Sequence, residues 1–133
     1  MYFVDTNTCI YFMNGKYPSI KEMFLSISPK EIKISSVVKA ELLLGAYKSQ
    51  TREQTVKKVK DFLKPFEIIS FTDDMTEDYA AIRAELELSG KTIGAKDCFI
   101  AATARSKKEI LVTHNVGEFS RVSNLEIEDW VKA

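Results

Sequence analysis

The sequence predicts an α/β fold in which helices cover both faces of a mostly parallel β-sheet. Short apolar runs, which are typical of buried strands, alternate along the chain with longer segments of helical periodicity. The 133 residues suit one hydrophobic core, and the chain contains no internal repeat, low-complexity tract or linker. We therefore expect residues 1–133 to form a single domain with four to five strands.

The strand predictions rest on short runs that are continuously apolar or that alternate between apolar and polar residues. The opening run MYFV is apolar throughout, as expected of a strand buried on both faces, whereas EIKIS alternates. By these criteria we predict strands at residues 1–4, 31–35, 66–71, 109–113 and 125–130.

The segments between these strands carry apolar residues at helical spacing. We predict helices at residues 6–15, 19–28, 36–48, 51–66, 73–90 and 95–108. Small polar side chains precede three of these helices and are predicted as their N-caps: Thr6 or Asn7, Ser35 or Ser36, and Asp73 or Asp74. Glycine or proline ends three of them, at Gly15, Pro65 and Gly90.

Composition excludes several classes of protein. The 19 basic residues balance 19 acidic ones, so the overall charge does not indicate nucleic-acid binding. A surface that binds a polyanion would have to come from local clustering of basic residues. Two cysteines are too few for a disulfide framework. No apolar run approaches the roughly 20 residues that span a bilayer. We expect a cytoplasmic protein without a membrane partner.

Three acidic residues stand in otherwise apolar contexts. Asp5 directly follows the first strand, Glu41 lies within VVKAELLLGA, and Asp97 opens KDCFIAATA. Each has a purely structural interpretation: Asp5 caps the first helix, Glu41 lies on the solvent edge of its helix, and Asp97 is a first-turn acid that the helix dipole favours. The functional interpretation depends on their combination and order.

Parallel α/β sheets form their sites at the carboxyl ends of strands, where Asp5 and the segment THN, residues 113–115, are expected. Carboxylates that converge there repel each other by about 4 kcal/mol per pair at 4 Å and an effective dielectric of 20. A divalent cation removes this cost, and Mg²⁺ prefers oxygen ligands, with Mn²⁺ as a substitute. Near a phosphodiester, such a cation activates water and stabilises the departing oxyanion.

Four sequence blocks resemble the PIN-domain ribonucleases, specifically the VapC-type toxins of bacterial toxin–antitoxin pairs. These blocks are VDTN, SSVVKAELLLGA, IGAKDCFIAATA and LVTHNVGEFSRV followed by LEIEDW. They occur in the order of the family and close to its usual spacing, from the first residue almost to the last. The resemblance implies a three-layer α/β/α fold and an Mg²⁺-dependent endoribonuclease in which a metal-activated water attacks a phosphodiester of RNA.

The resemblance also assigns site residues. It implies that Asp5, Glu41 and Asp97 are metal ligands and that Asn115 occupies a fourth catalytic position, which often carries an acid. Glu118 is a candidate for the missing carboxylate. For the number of metal ions, we expect one firmly held Mg²⁺ and a second that arrives with the substrate. Two further residues, Thr6 and Thr113, are candidates for positioning the carboxylates. Alanine at Asp5 or Asp97 is expected to abolish cleavage and to leave the fold intact or more stable.

The partners implied by the resemblance are a structured RNA, with tRNA preferred, and a VapB-type antitoxin whose C-terminal segment lies along a groove near the acids. A homodimer is also implied, with operator DNA bound only through the antitoxin. Candidate phosphate contacts, which are equally compatible with ordinary solvated helix faces, are Lys39, Arg83, Lys91 and Lys96.

Other interpretations remain open at this point. The chain also fits a PIN ribonuclease of RNA processing that is not a toxin, and Asn115 is the single argument for a catalytically inactive binding module. A phospho-receiver domain fits poorly, because EIKIS lacks the acceptor Asp at its end. His114, the single histidine, is interpreted as a loop residue in preference to an acid–base group. Buried thiols and a packing role are expected of Cys9, Cys98 and Trp130.

Overall fold

The structure, a computed structural model, describes residues 1–132. Five strands form one parallel sheet in the order β3-β2-β1-β4-β5. The strands are β1 (Tyr2–Val4), β2 (Ile32–Ser35), β3 (Glu67–Ile69), β4 (Ile110–Val112) and β5 (Ile127–Glu128). The helices are α1 (Thr6–Asn14), α2 (Pro18–Ser26), α3 (Ser36–Lys48), α4 (Arg52–Leu63), α5 (Thr76–Ser89), α6 (Ala95–Ser106) and α7 (Val116–Phe119).

Helices cover both faces of the sheet, which follows from the burial of consecutive strand residues. Phe3 and Val4 are 2% and 1% exposed, and Leu111 and Val112 are fully buried. Neighbouring residues of a strand point to opposite faces, so both faces must be covered. The predicted α/β/α fold with a parallel sheet is therefore confirmed.

An aromatic cluster closes the core near the C-terminus. Trp130 is 2% exposed and packs edge-on against Tyr2 and Phe24, with ring centroids 5.5 Å and 5.4 Å apart. The packing role predicted for Trp130 is confirmed. Cys9 and Cys98 are free, buried thiols, as predicted.

The structural interpretation of Asp5 as the cap of the first helix is confirmed, whereas Thr6 or Asn7 as that cap, and Asp73 or Asp74 as the cap of α5, were wrong. Asp5 caps α1 in place of Thr6 or Asn7, because its carboxylate accepts the backbone N–H of Thr8 at 2.9 Å. Helix α5 begins at Thr76 and follows a 3₁₀ turn, so neither Asp73 nor Asp74 caps it. The carboxylate of Asp74 instead accepts the Thr72 hydroxyl, a local bond that competes with capping. The alternative cap Ser35 is the one observed for α3.

Several element boundaries also differ from the predictions. The strands are shorter than their apolar runs, and α4 ends at Leu63, before Pro65. The short helix α7 and a 3₁₀ turn at Pro29–Glu31 were not predicted. Across residues 1–132, the longest and most apolar helices fall short of what a membrane span requires.

Candidate active site

The candidate site lies where the order of strands along the sheet reverses. From β1 the chain proceeds outward through β2 to β3, and it then returns to the other side of β1 as β4. Asp5 follows β1, and Thr113 follows β4. The backbone N–H of Asp5 donates to the carbonyl of Val112 at 3.0 Å, which keeps the two strand ends together. Crevices at such reversal points are the usual ligand sites of open α/β sheets.

Asp5 is held by hydrogen bonds to both of its carboxylate oxygens. Oδ1 accepts the backbone N–H of Thr8, and Oδ2 accepts the hydroxyl of Thr113 at 2.6 Å. The side chain is only 5% exposed. Burial raises the pKa of Asp5 above its usual range, although the bonds from Thr113 and Thr8 act in the opposite direction. The fold thus holds a carboxylate at this edge of the sheet at an electrostatic cost.

Glu41 projects from α3 toward the same edge. Its Oε1 accepts the hydroxyl of Thr6 at 2.8 Å, which joins α3 to the first residue of α1. The ammonium group of Lys96 lies 3.7 Å from Oε2. Because the Lys96 side chain is 64% exposed, this ion pair contributes little to stability. It does bring a mobile positive charge to the acids.

Asp97 lies in the first turn of α6 and is the most strongly perturbed acid of the group. Its pKa is raised to about 6, first by burial and then by repulsion from Glu41, Glu118 and Asp5. Lys96 opposes this shift only weakly. The local excess of negative charge is what a bound cation compensates.

One small cleft joins these side chains. It has a volume of about 90 Å³, enough for a cation with a few waters. Asn115, just before α7, also faces it, and its side chain makes no capping bond to that helix. The cleft is lined by Asp5, Thr6, Asn7, Glu41, Asp97, Asn115 and Phe119.

The donor set of the cleft fits a hard divalent cation. Carboxylate and amide oxygens are the preferred ligands of Mg²⁺ and Mn²⁺. Within residues 1–132, no three or more side chains of His, Cys, Asp or Glu are already arranged to hold a metal ion. In the structure, oxygens of Asp5 and Glu41 contact Thr113, Thr6 and Lys96. Each carboxylate oxygen keeps a further lone pair for a metal.

The four predicted phosphate contacts are distributed unevenly. Only Lys96 reaches the acids. Lys39 borders a separate depression beside α4, and Arg83 pairs with Glu87 on the exposed side of α5. Lys91 is exposed beyond the end of α5. RNA contact by these residues stays a prediction.

Sequence reasoning missed two residues that line the cleft. Asn7 was considered only as a helix cap, although its place in the polar run DTN was a usable signal. Phe119 forms an apolar wall at the end of α7. No sequence pattern pointed to Phe119, because α7 itself is only four residues long.

The sheet with its acid cleft belongs to a recognisable class of protein. Residues 2–125 match the family model of the PIN domain. The chain therefore belongs to the PIN-domain family.

Comparison with individual relatives identifies the type within that family. The chain is 42% identical to ribonuclease VapC2 of Rickettsia felis over 99% of both chains, and 36% identical to a tRNA(fMet)-specific endonuclease VapC of Shigella flexneri over 97% of both. Its fold superposes with a TM-score of 0.91 on VapBC2 of Rickettsia felis bound to a promoter DNA fragment, at 39% identity and 97% and 98% coverage. The chain is thus a nuclease of the VapC type, the toxin of VapBC toxin–antitoxin systems.

Proposed function

We propose that the protein is a divalent-metal-dependent endoribonuclease that cuts a structured RNA, with tRNA as the substrate class. The observation that carries this proposal is the convergence of Asp5, Glu41, Asp97 and Asn115 on one cleft at the reversal point of the sheet. The named specificity of the Shigella flexneri relative, an endonuclease for tRNA(fMet), supports tRNA. A toxin with this substrate acts in the cytoplasm, where tRNA is found.

The three acids of the cleft and Asn115 each have a role in this proposal. Asp5, Glu41 and Asp97 hold Mg²⁺ or Mn²⁺, and the amide of Asn115 orients a phosphate or a water. When bound, the cation lowers the pKa of a coordinated water and neutralises charge that develops on the phosphate. Glu118 lies close enough to raise the pKa of Asp97 and serves as a further anionic group for a second cation.

Two threonines hold the acids in position. Thr113 is fully buried, donates to Asp5 and accepts the backbone N–H of Asn115 at 3.0 Å, so it couples two sides of the cleft. Thr6 holds Glu41 in the same way. Partners that orient a metal ligand usually contribute about 10- to 100-fold to metal affinity or activity.

We predict that Thr113→Val lowers the rate of RNA cleavage by about 10- to 100-fold, because valine has the same shape and no hydroxyl for Asp5. Single-turnover cleavage measures the effect. Thr103→Val is the matched control, since Thr103 is also buried and its hydroxyl donates only within α6, to the carbonyl of Phe99. Equal rates for the two variants would contradict a positioning role for Thr113.

The antitoxin occupies a groove beside the acid cleft in this proposal. The groove has a volume of about 230 Å³ and runs between α1, α3 and α4, with Ile10, Met13, Gly45 and Val59 among its lining residues. Glu41 borders both the groove and the acid cleft, so a segment lying in the groove ends beside the acids. VapBC complexes among the structural relatives, some bound to DNA, support an antitoxin partner and binding of operator DNA through it.

We predict that Gly45→Trp weakens antitoxin binding by at least about tenfold, because the side chain fills the groove. A Cβ at Gly45 meets no atom within 4 Å, so the backbone there has room for the start of a side chain, and the circular dichroism spectrum of the variant checks that the fold is kept. Leu44→Trp is the control, since Leu44 is 51% exposed outside the groove. Calorimetric titration with the antitoxin's C-terminal peptide compares them. Unchanged affinity in Gly45→Trp would place the antitoxin elsewhere.

The experiment that tests the function is incubation of purified, antitoxin-free protein with total small RNA, with and without Mg²⁺. We expect a discrete Mg²⁺-dependent cut, and sequencing of the fragment ends identifies the RNA. A cut in a ribosomal or messenger RNA precursor would favour a processing nuclease. Absence of cleavage by folded protein under any divalent metal would favour an inactive binding module.

A further inference from the structure

A cluster of aromatic and basic side chains lies on two chain segments that also supply residues of the acid cleft, and none of its members is among the proposed metal ligands or their threonine partners. We define this aromatic patch as Tyr11, Lys16, Tyr17 and His114. The rings of Tyr11 and Tyr17 meet edge to face at 5.0 Å, and the ring of His114 lies 6.4 Å and 5.8 Å from them. The ammonium group of Lys16 lies 5.1 Å and 5.4 Å from the two tyrosine ring centres.

The turn that follows α1 assembles the patch. Gly15 adopts a left-handed conformation with φ of 71°, and the backbone N–H of Lys16 donates back to the carbonyl of Tyr11 at 3.1 Å. This reversal places Lys16 and Tyr17 next to Tyr11. His114 comes from the loop after β4, and its Nδ1 lies 2.9 Å from Oδ2 of Asp129, which fixes the orientation of the ring.

Two chain segments link the patch to the acid cleft. Asn7 lines the cleft, and Tyr11 lies one helical turn after Asn7 on α1. His114 lies between Thr113, which bonds Asp5, and Asn115, which lines the cleft. Both segments therefore place residues of the patch within one helical turn or one residue of side chains that line the cleft.

The patch is partly open to solvent. The side chain of His114 is 43% exposed, Lys16 is exposed, and Tyr11 and Tyr17 are only partly buried. Asp129 is the acidic group paired with His114, while Lys16 makes no ion pair within residues 1–132. A histidine ring that is open to solvent, two partly buried tyrosine rings and an ammonium group without an ion pair in residues 1–132 supply the chemistry that binds unstacked bases and their phosphates.

We propose that the aromatic patch is a subsite for a nucleotide of the RNA substrate adjacent to the scissile phosphate, with its base on the tyrosine and histidine rings and its phosphate on Lys16. The inference rests on the proposed nuclease function and deepens it. The need for such a subsite follows from charge: the chain has no net positive charge and its acid cleft repels a polyanion. Attraction beside the cleft compensates that repulsion.

The test measures binding of a short single-stranded RNA that carries 2-aminopurine, using protein with the Asp97→Asn substitution so that bound RNA stays intact. We expect the bound fluorophore to be quenched by stacking. Tyr17→Ala or His114→Ala weakens binding by about tenfold or more and removes quenching. Lys16→Gln weakens RNA binding, and the slope of log affinity against log salt concentration falls by about the amount that corresponds to one phosphate contact. His114 and Lys16 are exposed, so these two variants keep the test valid if Tyr17→Ala unfolds.

Tyr47→Ala is the matched control. Tyr47 is 51% exposed and has the guanidinium of Arg52 5.3 Å above its ring, but it lies at the far end of α3 from the strand ends. It is expected to bind and quench like the parent protein. Unchanged binding in the patch variants, equal loss in Tyr47→Ala, or a loss of antitoxin affinity without loss of RNA affinity overturns the proposal. The proposed function itself fails only if the wild-type protein cleaves no RNA.

Discussion

The Asp97→Asn variant is expected to cleave no RNA and, in metal-free buffer, to be more stable than the wild-type protein above pH 6. Loss of a direct metal ligand costs more than the roughly 100-fold typical of the groups that orient ligands. The gain in stability follows from the raised pKa of Asp97, about 6 in the folded protein against 3.8 for an unperturbed side chain. The folded state therefore holds the Asp97 proton more tightly than the unfolded state does.

The sign of the pH dependence is fixed by this difference. Between pH 4 and 6 the unfolded state loses the proton first, so the stability of the wild-type protein falls as pH rises across this range. Above pH 6 the wild-type protein has lost all of the stability that depends on the Asp97 proton. The Asp97 side chain is only partly buried, so we expect the loss to be about 1 to 2 kcal/mol in the free energy of unfolding. Asparagine carries no charge, so the Asp97→Asn variant does not lose this stability as the pH rises.

Denaturant unfolding of both proteins at pH 4 and pH 7.5, with EDTA, measures the difference. Asp61→Asn is the matched control, because Asp61 is an exposed acid of α4 that pairs with Lys57, and its pKa is lowered. This control is expected to cleave RNA normally and to gain no stability at pH 7.5. A cleaving Asp97→Asn variant, or one that is no more stable at pH 7.5, would contradict the role given to Asp97.

Asp5 is predicted to behave differently, because it is both an acid of the cleft and the cap of α1. Asp5→Ala and Asp5→Asn are both expected to be inactive. Alanine also removes the acceptor for the Thr8 N–H and leaves the buried Thr113 hydroxyl without its partner. We expect Asp5→Ala to lose about 1 to 2 kcal/mol of stability relative to Asp5→Asn, which keeps a capping oxygen.

Thermal and denaturant unfolding at pH 7 without metal compare these two variants. The hydrogen bonds of Asp5 revise the expectation from sequence that alanine at this position leaves the fold intact or more stable. Equal stability of the alanine and asparagine variants would show that the cap contributes nothing. Cleavage by either variant would remove Asp5 from the catalytic site.

Much of the fold and the place of the acids were predictable from local signals. A continuously apolar run such as MYFV is typical of a strand in a parallel sheet covered by helices, and an acid directly after such a strand is expected at the carboxyl edge. The structural and functional interpretations of Asp5 were treated as alternatives. The structure shows one carboxylate that caps α1 and also lines the cleft.

The features that were not predictable depend on contacts between segments distant in sequence. Thr6 and Thr113 were predicted to position the carboxylates, but the sequence did not say which acid each one holds: the bond from Thr6 to Glu41 spans 35 residues and the one from Thr113 to Asp5 spans 108. No periodicity encodes such pairs. Similarly, the aromatic patch depends on the left-handed turn at Gly15 meeting the loop that carries His114. The cap at Asp73 or Asp74 was wrong because both residues lie in a 3₁₀ turn and the α-helix begins only at Thr76.

The central claim is that the acid cleft is a divalent-cation site that performs RNA hydrolysis. Titration of Mn²⁺ into the antitoxin-free protein, followed by the loss of the free-ion electron paramagnetic resonance signal, tests it most directly. The account predicts at least one bound Mn²⁺ per chain, affinity at least about tenfold weaker in Asp97→Asn, and RNA cleavage that rises over the same Mn²⁺ range in the wild-type protein. Equal Mn²⁺ affinity in the two proteins, or cleavage in the presence of EDTA, would contradict it.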